Sequence, residues 1–324
     1  MLITTPRSRM RFALSLLLLL SVRFLMADVT QANALLQEGR VDEATASLRK
    51  ILAAQPGDAQ AHQLLCRIYY AQDMADNAIQ ECELAATSDP ASSDDQMWLG
   101  RAYGIKASHA NPLRALRLAA KVRAAFERAA QLDPENIHAL SDLGEFYVAA
   151  PAFIGGGLDK AQVLSARMQP HFPSQAHRLR ALIAEKKKED TLAEAEFSNA
   201  IAAGKTPETY IDLGQFYQRH NQPNKMLDAL QSGVAADRRK GPALVDAANI
   251  LTDADRSPEL AETLLRTYLS SSAKTDEAPA FKVHVQLGEL LAHRGDPAGA
   301  HREYAIALAL ASNYAPARKA MQGL

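Results

Sequence analysis

Two cysteines and one tryptophan are all that the 324 residues contain of those types, and aromatic side chains make up only 6% of the chain. A dense disulfide framework is thereby excluded, and so is a four-thiolate zinc site. No His-Glu-x-x-His, Gly-x-Ser-x-Gly or Cys-x-x-Cys occurs, so the spacings that serve zinc hydrolysis, acyl transfer and thiol redox chemistry are missing. The nine histidines are scattered. Neither His171 with His177 nor His293 with His301 has the further ligands a metal requires, and solvated surface histidines are expected. Charge of one sign is lacking too: 36 basic residues against 37 acidic ones leave a formal charge of −1. Nucleic acid, which demands clustered positive charge, is not an expected partner.

The first 27 residues stand apart. Arg7, Arg9 and Arg11 precede an apolar run over 12–22, too short for the ~20 residues that span a bilayer but suited to the basic-then-apolar plan of an export signal. Cleavage near Asp28 and a periplasmic or secreted location are expected, although Leu25 and Arg23 make a poor cleavage site. An uncleaved membrane anchor is the weaker alternative. No cysteine follows the run to take a lipid.

From about residue 25 onward, what is present is alanine and leucine in a period of roughly 34 residues, the mark of stacked helical hairpins. With the unit 59–90 as ruler, the eighth position reads Ala32, Cys66, Gly100, Gly144, Ala181, Gly214, Ala247 and Gly288. The twentieth reads Ala44, Ala78, Val122, Ala161, Ala193, Met226, Ala261 and Ala300. Helices that cross at about 8–10 Å need small side chains where their backbones come closest, and these two columns are those places. Pro56, Pro90, Pro134 and Pro173 mark the stops between units. Leu-Gly followed by tyrosine three residues on recurs at Leu99-Gly100/Tyr103, Leu143-Gly144/Tyr147 and Leu213-Gly214/Tyr217.

This pattern resembles the tetratricopeptide repeat family. The resemblance, to an exported bacterial member, covers some nine tenths of the chain and implies an all-α, right-handed α-α superhelix (solenoid) of about eight helical hairpins over 28–324. Departures at Met226 and Gly233, and the lack of closing prolines, suggest weaker repeats over 205–275. In the family, first helices line a concave groove. The positions that meet partners there correspond to Asn33, Gln63, Arg67, Tyr70, Met97, Arg101, Glu145, Arg178, Gln215 and Arg219. Arg67 and Arg101, stacked beside Tyr70, suit a carboxylate or an extended backbone, or else pair with neighbouring acids. The pattern of family members that hold chaperone C-termini is not matched by Val29, Asn33 and Leu64, nor by Gln63, Arg67 and Trp98.

Three further features are read from the residues. Cys66 and Cys82 fall on facing helices of one unit, where export would permit a disulfide; two buried thiols are the other reading. An insertion near 104–121 lengthens a second helix opened by Asn111-Pro112. Its Lys106, Arg114, Arg117, Lys121 and Arg123 make it the one place for membrane or acidic-partner contact, if it is not simply a solvated face. The hairpin near 151–160 holds Gly155, Gly156 and Gly157 before Lys160 but lacks the hydroxyl and the preceding strand of a phosphate loop. The expectation is a non-enzymatic scaffold of the cell envelope that binds a protein or peptide, with no cofactor and no metal. A self-assembling structural element and a subunit of an enzyme complex are the alternatives.

Overall fold

The computed structural model describes residues 29–323, so the expected export signal lies outside the described residues. Seventeen α-helices and no strand occur among those residues. They are α1 (29–37), α2 (Val41–Ala54), α3 (Ala59–Ala71), α4 (Ala75–Ser88), α5 (Ser93–Ser108), α6 (Pro112–Leu132), α7 (Ile137–Ala149) and α8 (Leu158–Met168). They continue as α9 (Pro173–Lys186), α10 (Asp190–Gly204), α11 (Pro207–Arg219), α12 (Pro223–Ala236), α13 (Ala243–Asp253) and α14 (Pro258–Ser270). The last are α15 (Ala280–His293), α16 (Pro297–Leu310) and α17 (Ala315–Gln322). Odd-numbered helices pack on the even-numbered ones that follow them, and α17 covers the final pair. Starts are set locally. Asp58, Ser92, Asn111, Asn136 and Asp296 accept backbone N–H groups of the first turn, and proline opens α6, α9, α11, α12, α14 and α16.

Both small-residue columns are buried at interhelical crossings. A side chain at Gly100 would enter the ring of Phe126, and one at Gly288 the ring of Tyr304. At Gly214 a Cβ would lie 2.7 Å from Leu230 of the same hairpin, and at Gly144 one would lie 2.8 Å from Leu179 of the next. Met226, the large exception, is fully buried, and its carbonyl oxygen lies 3.7 Å from where a Cβ on Gly214 would stand. Over 205–275 the large Met226 side chain is thus accommodated without opening its crossing. Turns in this stretch are irregular: of seven non-glycine residues with positive φ, Lys205, Asn221, Lys240, Asp255 and Ser257 fall in it.

The recurring tyrosine ties one hairpin to the previous one. Tyr103, Tyr147 and Tyr217 donate hydroxyl bonds to Glu83, Glu127 and Glu194 at 2.5, 3.0 and 2.7 Å. Each ring also carries a lysine of its own hairpin, Lys121, Lys160 and Lys225, at 4.6, 5.4 and 5.1 Å from its centroid. Burial, then the bond to a carboxylate, raises the Tyr147 and Tyr217 hydroxyls to about 12. Histidines recur in pairs within hairpins: His62–Glu81, His177–Glu196 and His284–Glu303 meet at 2.6, 2.6 and 2.7 Å. These three are structural rather than solvated, because each sits where the two helices of its hairpin converge.

The solenoid also closes on itself. Asp276, in the segment between α14 and α15, accepts from Arg67 Nε at 2.7 Å and Gln37 Nε2 at 2.9 Å, and its own N–H donates to Gln37 Oε1. Lys282 pairs with Asp73, and Asp42 accepts the Ser312 N–H at 2.8 Å. Gly39, at φ +78°, brings the α1–α2 turn so near α15 that a Cβ would stand 2.8 Å from the Ala280 nitrogen. One buried apolar cluster accordingly runs from Ala181 through Phe281 and Tyr314 and on to Leu36 and Leu65; a second fills α5 to α9. A continuous core across the seam stabilises both ends.

Cys66 and Cys82 lie across α3 and α4 with Cα atoms 5.2 Å apart, inside the span at which a disulfide forms without backbone movement. Closing a loop of that size contributes about 3 kcal/mol by chain entropy. Reductant should lower the urea midpoint of the parent and leave that of Cys66→Ala/Cys82→Ala unchanged. Equal midpoints for the parent with and without reductant would show that no bond contributes.

Candidate functional site: the inner face

First helices meet one another in the succession α3, α5, α7, α9, α11, α13 and so line the inner face. Polar crosslinks span that face from one helix to the next. Gln63 donates to Asp95 at 2.6 Å, Arg101 to Asp142 at 2.6 Å, and Arg178 to both Asp212 at 2.9 Å and Glu145 at 2.6 Å. Arg219 donates to Glu185 at 2.7 Å, and Gln218 reaches the Ile250 carbonyl at 3.4 Å. Burial opposes the charge on Arg178, yet Asp212 and Glu145 hold its guanidinium above the usual value.

The arginines expected to await a carboxylate already hold one each. Arg67 is bound to Asp276 and Arg101 to Asp142, and both guanidinium groups lie over the Trp98 ring, 5.4 and 4.7 Å from its centroid. Tyr70 meets the same ring edge-on at 5.4 Å. Of the other expected groove residues, Glu145, Arg178 and Arg219 are committed to the ladder, and Asn33 is half-buried, with an Oδ1 that has no hydrogen-bond partner. Met97 is a correction: at 4% exposed it belongs to the apolar core, because its turn of α5 faces the neighbouring helices. Asp142, Asp212, Asp276 and Trp98 were not foreseen. The signal for two of them was an aspartate two residues before the glycine of the column, in register with an arginine on the preceding first helix.

Cavities along this face are unlike in chemistry. Tyr70, Arg101, Asp142, Glu145 and Phe146 line one of about 450 Å³. Glu208, Asp212, Gln215, Asp246 and Asn249 line another of about 320 Å³ between α11 and α13. Asn249 and Asp253 continue into a third, of about 690 Å³, shared with Asp255 and Arg256 of the α13–α14 turn and with Gln286, Glu289 and His293 of α15. Gln286 Oε1 is enclosed there without a partner, and burial raises the Glu289 carboxyl. Asp246 has no ion-pair partner among the described residues. Its side chain reaches solvent, but partial burial, then the charges of Glu277, Asp212 and Glu208, push its carboxyl up to about 6.

That shift has a measurable sign. Because the folded value lies above the ordinary one near 3.9, the folded chain takes up the proton first, and stability rises as pH falls from about 6 towards about 4. Asp246→Asn should therefore have a higher urea midpoint than the parent at pH 7.5, with the difference gone at pH 4. Equal midpoints at pH 7.5 would refute the repulsion.

Among the described residues no group of three or more His, Cys, Asp or Glu side chains is arranged to hold a metal, and no helix is long and apolar enough to cross a membrane. Residues 35–102 match the family model described as tetratricopeptide repeat. None of the curated proteins matches the sequence. In fold, the chain is similar to yeast Tom70, at 15% identity and a TM-score of 0.53 over 87% of this chain and 59% of that one. It is also similar to a thermophilic TPR protein of Thermus thermophilus, at 18% identity and a TM-score of 0.48 over 70% of this chain and 99% of that one. Residues 35–102 carry the tetratricopeptide repeat, and the described residues together form an all-α solenoid of that type.

Proposed function

We propose that this protein is a non-enzymatic scaffold of the cell envelope, exported by its N-terminal segment, that binds an extended segment of a protein partner along its inner face. The observation that carries this reading is the adjoining pair of cavities over α11, α13 and α15, lined by Gln215, Asn249 and Gln286 beside the unpaired Asp246. Amide side chains both donate and accept, which suits a peptide backbone, and unpaired carboxylates suit a cationic side chain. Specificity then shifts from the arginines named by the repeat register, whose charges are internally neutralised, to the acidic and amide groups over α11, α13 and α15. Contacts from successive helices add up without any single one being strong.

End-to-end self-assembly is disfavoured by the closure at Asp276 and Gly39, which leaves the terminal repeats covering one another rather than open to a second copy. The reading is tested with a photo-crosslinking amino acid at Asn249, or at Leu84 on the outer side, in the native cell. Crosslinks to a partner from Asn249 and none from Leu84 are expected; the reverse would move binding to the outer surface. Fractionation with N-terminal sequencing tests export, and an intact Met1 in the cytoplasm would refute it.

A further inference from the structure

A second surface lies away from the inner face. The α5–α6 hairpin overhangs its neighbours: α6 has 21 residues where α2 and α4 have 14 each, an excess of roughly 10 Å at 1.5 Å per residue. Asn111 caps the overhang and Pro112 begins it, so the tip is a formed helix and not a loose loop. Leu113 and Leu116 are exposed on it, by 67% and 40%. From Lys106 to Phe126 the sequence has five Lys and Arg and no Asp or Glu. Lys106 is paired with Asp76, Arg123 with Glu127 at 3.9 Å and Lys121 with the Tyr103 hydroxyl, but Arg114 and Arg117 have no ion-pair partner among the described residues.

The glycine turn extends this patch. Its 3-10 segment, Ala152–Ile154, packs on α6. Gly155, at φ +94°, lets the turn close over the Arg123 guanidinium, which a side chain there would strike. Leu116 shares a helical face with Arg123, seven residues on. Phe153, 78% exposed, stands on the same turn.

We infer that the overhang of α6 and the Phe153 turn form a docking surface for an anionic lipid membrane. Cations interleaved with exposed leucine and phenylalanine are what an interfacial helix presents: the apolar side chains enter the boundary of headgroups and acyl chains while the guanidinium groups hold phosphates. Nucleic acid would use the cations and leave the exposed leucines unexplained. An acidic protein would need acids spaced to Arg114 and Arg117 as well as an apolar seat. A membrane needs neither, since its charge is laterally mobile. The surface shares no residue with the cavities over α11, α13 and α15, so it would hold the scaffold at a membrane while the inner face stays free.

The test is co-sedimentation of the full chain with vesicles of phosphatidylcholine alone, or containing 30% phosphatidylglycerol, at low and high salt. Binding only to the anionic vesicles, weakened by salt, is expected. Arg114→Glu/Arg117→Glu should reduce it at least about 25-fold, at about fivefold per cation lost, with repulsion of the two introduced carboxylates added to that. Leu113→Ser/Phe153→Ser should reduce it at unchanged salt dependence. Far-UV circular dichroism equal to the parent's shows that each variant is folded, both pairs being exposed. No partition of the folded parent would overturn the proposal. So would equal binding to both vesicle types, an undiminished charge-reversed variant, or binding to soluble polyglutamate without binding to vesicles.

Discussion

Asp276→Ala should lower unfolding stability by about 3–5 kcal/mol and enlarge the folded molecule. Among the described residues the carboxylate is the only acid paired with Arg67, and its side chain is 7% exposed against 18% for that of Arg67. Removing one partner of a buried pair leaves the other uncompensated, which costs more than the pair itself contributes. Gln37 loses its bond to the carboxylate in the same step, which reduces the tie between α1 and the segment before α15 to the backbone N–H of residue 276 on Gln37 Oε1. Besides that bond and the buried apolar contact of Leu36 and Leu65 with the cluster of Phe281 and Tyr314, the seam then keeps the approach of Gly39 to Ala280, the Asp42–Ser312 bond and the pair Lys282–Asp73. A urea titration gives the energy, and small-angle scattering gives the radius of gyration in native buffer. A lower midpoint with an unchanged radius would show that the seam does not depend on Asp276.

Phe197→Ala should cost a comparable amount, about 3–5 kcal/mol, the range for deleting a large aromatic side chain from a packed core. Phe197 is 1% exposed, and its ring lies 5.4 Å from that of Phe216, which in turn meets Tyr217 and His220 at 5.6 and 4.3 Å. This aromatic chain joins α10 to α11 at the start of the stretch whose sequence departs most from the repeat. Urea unfolding followed by circular dichroism measures the loss. A cost under about 1 kcal/mol would mean that the two hairpins are only loosely coupled, well below the usual penalty for such a cavity.

Repeat architecture was legible in the sequence because close backbone approach leaves a residue-type signature. Gly100, Gly144, Gly214 and Gly288 could be assigned to crossings before any coordinates, and the length of α6 followed from Asn111-Pro112. The recurrent tyrosine was visible as a position but not as a bond, since its acid lies about 20 residues upstream on the preceding hairpin. Closure was not legible at all. Gln37 and Asp276 are 239 residues apart, and nothing in a 34-residue period says how far each unit rotates on the last. The same limit applied to Arg67 and Arg101: position on the inner face could be read, but whether a neighbouring carboxylate arrives there depends on the superhelical turn. Asp246 escaped notice because a lone acid in a polar column becomes distinctive only when Glu208, Asp212 and Glu277 are brought around it.

The central claim, that the inner face works through its acidic and amide arc rather than through its arginines, is tested most directly by fluorescence anisotropy of a labelled, lysine-rich extended peptide titrated with the intact protein. The account predicts binding at pH 7.5, weaker at pH 5 as Asp246 takes up its proton, and weaker at both pH values with Asp246→Asn/Glu208→Gln. Binding of a glutamate-rich peptide in place of the lysine-rich one, unaffected by those two substitutions, would contradict it.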